Sequence, residues 1–129
     1  MRVQSLLLLA GMFVFLAACG GSQPQQGDTT DTPVTIITST NPDPPTIGEV
    51  TIQFTVTDDN GQPVTGADFD VIADHTDMSG MTLKGKAVEQ KTGDYAITAD
   101  FSMSGNWLLT VQVRTENLDY KEEIPFVIK

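Results

Sequence analysis

The sequence predicts an all-β domain, an immunoglobulin-like Greek-key sandwich of about seven antiparallel strands. Three observations carry this. Apolar and polar residues alternate with period two in one run after another. Clusters of Gly, Pro, Asn and Asp break those runs at short intervals. No stretch of the folded part carries a helical period. A closed Greek-key barrel is the alternative arrangement of the same strands.

The elements are taken in chain order. Met1 and Arg2 form a short basic start, and Leu6 to Leu16 is an apolar run interrupted only by Gly11. At 1.5 Å per residue it falls well short of a hydrocarbon core of about 30 Å, so it reads as a signal-peptide core and not a span. It ends in Leu16-Ala17-Ala18-Cys19, followed by Gly20 and Gly21. This resembles the bacterial lipobox, which implies removal of residues 1–18 and diacylation of Cys19. The acylated Cys19 then anchors the chain in membrane lipid, since each buried CH₂ contributes about 0.8 kcal/mol. The expected location is extracytoplasmic, on the periplasmic side of the outer membrane if the host has one. Residues 19–33 follow as a flexible tether of Gly, Ser, Gln, Asp, Thr and Pro. Its r.m.s. reach is roughly 20 Å.

Residues 34–129 form the sandwich. Val34–Thr40 is a weak first strand. In Glu49–Thr57, Val50, Ile52, Phe54 and Val56 alternate with Thr51, Gln53, Thr55 and Thr57. Asp68–Ala73 and Thr82–Glu89 are weaker candidates. Tyr95, Ile97, Ala99 and Phe101 alternate, as do Trp107, Leu109, Val111 and Val113, and then Ile124, Phe126 and Ile128. The breaks are Asn41-Pro42-Asp43-Pro44-Pro45, Asp59-Asn60-Gly61, Thr92-Gly93-Asp94 and Ser104-Gly105. A single Cys excludes an internal disulfide, so packing alone holds the layers, with Trp107 in the core.

The succession Gly93-Asp94-Tyr95, then Phe101-Ser102-Met103-Ser104-Gly105-Asn106-Trp107-Leu108-Leu109, then Val111 and Val113, resembles the YtkA-like domain. The resemblance spans most of residues 48–129. It implies a small extracytoplasmic β-sandwich found near copper-handling and respiratory-oxidase genes.

Charge narrows the function classes. Of 129 residues 17 are acidic and 7 basic, a formal charge of −10, which disfavours nucleic acid as a partner because few cations are available to release its counterions. One constellation holds chemistry: Asp74-His75-Thr76-Asp77-Met78-Ser79-Gly80-Met81. It contains the sole His, and once Met1 and Met12 leave with the signal the remaining methionines are Met78, Met81 and Met103. Thioether and imidazole suit Cu(I), a soft ion, and thioether needs no deprotonation. His75, Met78 and Met81 recur every third residue, a spacing that converges in a loop and not on a strand. Because successive strands run up and down, the loop after the third strand and the loop holding Met103 fall at one end, away from the tether. The expected copper site is therefore His75, Met78, Met81 and Met103, with a copper ion or a copper-dependent respiratory protein as partner.

Asp68, Asp70, Asp74 and Asp77 would concentrate cations near that loop, or form a weak Ca²⁺ site. A triad on His75 with Ser79, Ser102 or Ser104 lacks an elbow or oxyanion loop, so no enzyme activity is expected. The rival to copper is a non-metal, non-catalytic module that binds another envelope protein.

Overall fold

The computed structural model describes residues 33–129. The lipobox, Cys19 and nearly all of the tether lie outside the described residues. Seven strands follow: β1 (Thr35–Asn41), β2 (Gly48–Thr57), β3 (Asp68–His75), β4 (Thr82–Lys91), β5 (Asp94–Phe101), β6 (Gly105–Arg114) and β7 (Asp119–Ile128). All pair antiparallel in the order β1-β2-β5-β4-β3-β6-β7, the connectivity of a Greek-key sandwich.

The two layers meet in β4. Thr82–Ala87 pair with β3, whereas Val88–Lys91 pair with β5, so one strand passes from one layer to the other. β1 and β7 are the ends of the strand order and do not pair with each other, so the sheet is curled into a sandwich and is not a closed barrel. A short tie draws the two edges together where β1 has ended: Ile47 N–H donates to Lys129 O at 3.1 Å and Lys129 N–H to Pro45 O at 2.9 Å.

Alternation sets what fills the space between layers. Val50, Ile52, Phe54 and Val56 of β2 face Phe69, Val71 and Ala73 of β3 and Trp107, Leu109, Val111 and Val113 of β6, all buried. Rings bridge the layers, Phe54 on Phe69 at 4.8 Å, Phe69 on Tyr95 at 5.2 Å and Phe101 on Trp107 at 5.0 Å. Among the described residues this core runs from Val34 to Ile128. Trp107 is 2% exposed.

The strand ends differ from expectation chiefly in β7, which starts at Asp119 and not Ile124. Lys121, Glu122 and Glu123 hide its alternation, yet an edge strand tolerates charge and Pro125 because it has one free side. The Asp58–Gln62 turn is built as the sequence implies. Asp58 Oδ1 accepts from the N–H groups of Asn60 (2.9 Å) and Gln62 (2.8 Å), and Gly61 takes φ of 75°.

Tyr95 locks the connection between β2 and β3. Its hydroxyl donates to Val64 O at 2.9 Å and accepts from Ala67 N–H at 3.0 Å. Burial pushes the phenol pKa up to about 12.

Candidate metal-binding rim

Three connections meet at one end of the sandwich. Residues 42–47 enter β2 at Gly48, which sits opposite Phe101 at the end of β5. Residues 76–81 join β3 to β4, and 102–104 join β5 to β6. Opposite His75 in the β3–β6 ladder stands Trp107, two residues into β6, so the 76–81 and 102–104 loops are neighbours. β1 begins at the other end, where the tether would enter.

His75 is the next inward position on β3 after Phe69, Val71 and Ala73, which is why a polar ring ends up buried, 7% exposed. It meets Trp107 edge-on at 4.9 Å. Both ring nitrogens are engaged. Nε2 lies 3.1 Å from Ser104 O, and since a carbonyl only accepts, Nε2 carries the proton. Nδ1 then accepts from Asp77 N–H at a longer 3.2 Å. Thus the imidazole fastens one methionine loop to the other.

Backbone bonds reinforce that join. His75 N–H donates to Met81 O (3.0 Å), and Thr76 N–H (2.9 Å) and Oγ1 (3.0 Å) both donate to Asn106 O. Asn106 Nδ2 reaches Asp77 Oδ2 at 3.3 Å, and Trp107 Nε1–H donates to Met103 O at 3.3 Å. Gly105 makes the seat for the ring. At φ of 127° it adopts a backbone that L side chains avoid, and a Cβ there would stand 2.8 Å from His75 Nε2. Ser104-Gly105 is legible in the sequence as a turn. Its service as the floor under His75 is not.

The four residues expected at the site thus share one end of the fold in different settings. Met81 is half-buried and packs against the core, Met103 is half-buried, and Met78 is exposed. Among the described residues no group of three or more His, Cys, Asp and Glu side chains is arranged to hold a metal. Any copper set here therefore rests on thioether sulfur. Nε2–H donation to a backbone carbonyl is the usual outer support of an imidazole that ligates through Nδ1, but here Nδ1 is occupied by the N–H of Asp77.

The acids expected beside the loop are dispersed. Asp68 and Asp70 lie toward the other end of β3 and are bound by Lys86 and Arg114. Asp74 accepts from Thr82 Oγ1 and Asp77 from Asn106. Strand direction, invisible in a linear count of acids, separates them. The calcium alternative has no cluster among the described residues to stand on. Ser104 meets His75 through its carbonyl and not its hydroxyl.

No curated protein matches the chain. The model of the YtkA-like family matches residues 28–112, from just ahead of β1 to near the end of β6 and short of β7. With about two-thirds of its length matched, and with the all-β architecture described above, this chain belongs to the YtkA-like family.

Proposed function

We propose that this chain is a lipid-anchored extracytoplasmic copper-binding protein, which holds Cu(I) at the end of the sandwich farthest from its membrane tether. The observation that supports this reading is the join made by His75. One imidazole ties the loop of Met78 and Met81 to the loop of Met103, so all the soft ligands of the mature chain border one rim. Met78, Met81 and Met103 would supply thioether sulfur. His75 Nδ1 would supply the nitrogen by giving up its long bond from Asp77 N–H, while Nε2 stays on Ser104 O. A soft, mostly neutral donor set favours Cu(I) over Cu(II). The reading fits buffering of copper, or its delivery to a copper-dependent respiratory enzyme, with Cys19 acylated in the membrane.

Cu(I) titration of residues 20–129 against a competing chelator tests it. Met→Leu substitutions keep volume and apolarity, so Met78→Leu, Met81→Leu and Met103→Leu should each leave stability within about 1.5 kcal/mol. Each should weaken Cu(I) tenfold or more, about 1.4 kcal/mol per decade. Loss in Met78→Leu with no change in Met103→Leu would mean a chelate confined to one loop. No change in any of the three would end the copper reading and leave a non-metal module for binding an envelope protein.

A further inference from the structure

The passage of β4 between layers leaves a seam. β4 and β5 are paired at Val88↔Ala96 and Glu89↔Tyr95, but beyond that point Thr82–Ala87 pair only with β3 and Ile97–Phe101 only with β2. The two strands therefore part like a wedge, closed at Val88 and opening toward the rim. Among the inward positions along the wedge Ala73, Gly85 and Ala99 are small, and Val71, Leu83, Ile97 and Phe101 also line it. The result is an open cleft of about 440 Å³ whose base is formed by Ile52, Phe101 and Leu109. That volume falls in the range of about 300 to 1,000 Å³ typical of ligand pockets. Ile97 reaches toward β4 in the space a side chain on Gly85 would need, since a Cβ there would sit 2.7 Å from Ile97 Cδ1. Ile97 is half-buried and forms the inner wall of the seam.

The mouth is asymmetric. Thr98 and Asp100 lie on the β5 lip, and Lys84 and Lys86 on the β4 lip. Lys86 is occupied by Asp68 and Asp70. Lys84 has no ion-pair partner among the described residues. In a chain of charge −10, an unpaired cation beside an apolar cleft points to an anionic head with an apolar tail. An added β-strand does not fit, because it would need about 4.7–4.9 Å on each side along its whole length and the wedge is shut at one end. A single hydrocarbon chain entering tail-first meets no such demand.

We propose that the β4–β5 seam binds a single-chain anionic amphiphile, a free long-chain carboxylate, with its tail among Ala73, Gly85 and Ala99 and its head at Lys84.

Monomeric dodecanoate titrated into residues 20–129, which include every described core residue, tests this by calorimetry and by the methyl resonances of Ala73, Leu83 and Ala99. Saturable binding that shifts those methyls is expected. Ala99→Leu places a larger side chain in the cleft and should weaken dodecanoate at least tenfold without lowering the melting temperature. Lys84→Gln, at an exposed position with no ion pair among the described residues, should weaken dodecanoate several-fold and leave dodecanol unchanged. Undiminished affinity in Ala99→Leu would overturn the site. Equal binding of dodecanol and dodecanoate, with Lys84→Gln silent, would overturn the anionic class. Binding of phosphatidylglycerol vesicles but not of monomeric dodecanoate would overturn the single-chain ligand.

Discussion

Near the end where the tether would enter, β4 and β5 are hydrogen-bonded and three rings, Phe54, Phe69 and Tyr95, are stacked through the core. Toward the rim the same two strands part over a cleft lined by Ala73, Gly85 and Ala99, beside the buried rings of Phe101 and Trp107. One sheet thus has an end filled for stability and an end left partly unfilled, with the methionine loops around it. The difference teaches where each kind of substitution should register. Large residues removed from the filled end create voids, whereas a larger side chain at Ala99 extends into the open seam.

The largest effect should come from breaking the filled end. Phe69→Ala removes a ring that is 1% exposed and touches both Phe54 and Tyr95, at a cost of about 3–5 kcal/mol in chemical denaturation. Trp107→Ala should cost a similar amount although it lies at the rim, because Trp107 is equally enclosed and its Nε1–H donates to Met103 O, so the rim is open only at the β4–β5 seam. By contrast, Ala99→Leu should leave stability essentially unchanged, well short of the roughly 1–3 kcal/mol that overpacking a closed core costs, because its side chain extends into the open seam. Equal losses in Phe69→Ala and Ala99→Leu would erase the distinction between the ends.

Next in size is the hydroxyl of Tyr95. Tyr95→Phe keeps the ring and deletes two hydrogen bonds, leaving Ala67 N–H and Val64 C=O without it, for a cost of about 1–3 kcal/mol. It also carries a pH signature. Burial raises the folded phenol to about 12 from an ordinary value of 10. The stabilisation is complete below pH 10, and is lost as pH rises toward 12, because the unfolded chain ionises first. Urea midpoints should fall over that window in the parent chain, and this part of the fall should be absent in Tyr95→Phe. An unchanged alkaline limb would mean that the hydroxyl titrates freely.

How much of this was legible in the sequence follows from what alternation records. Period two marks which side chains face inward, so β2, β5 and β6 were plain, and strand parity brought the Met103 loop beside the His75 loop. Alternation does not record which strand is the neighbour. The change of partner within β4, and with it the seam, arises from pairing between residues distant in the chain. Gly85 and Ala99 look in the sequence like weak strand residues and not like walls of a cleft. Charge obscured the first half of β7 in the same way, because Glu122 occupies an inward-facing register at an edge where water still reaches it. At the rim, residue type gave the soft ligands, but the engagement of both His75 nitrogens depends on the backbone of Ser104 and Asp77, which carries no sequence signature.

The smallest effect should come from the charges clasped over the outside of the sheet. Lys86 and Arg114 both reach Asp68 and Asp70 across β4, β3 and β6, with Arg114 to Asp68 at 2.9 Å and Lys86 to Asp70 at 3.2 Å. Hydrogen bonds from Lys86 and then Arg114 hold the Asp68 carboxyl below its ordinary value, and the same bonds raise Lys86. For a carboxylate with a depressed folded pKa, the stabilisation is present above the unfolded value near 3.8 and disappears as pH falls through the folded one. Water surrounds this cluster, so salt within a Debye length of about 3 Å at 1 M should screen it. Asp68→Asn should therefore lower the thermal midpoint slightly at pH 7, less than Tyr95→Phe does, and the difference should vanish at high salt or once the pH has fallen through the lowered pKa of the folded carboxyl. A loss that persists in 1 M salt would show that these side chains act through packing against β3 and β6, and that the outer face contributes to the filled end as the rings do.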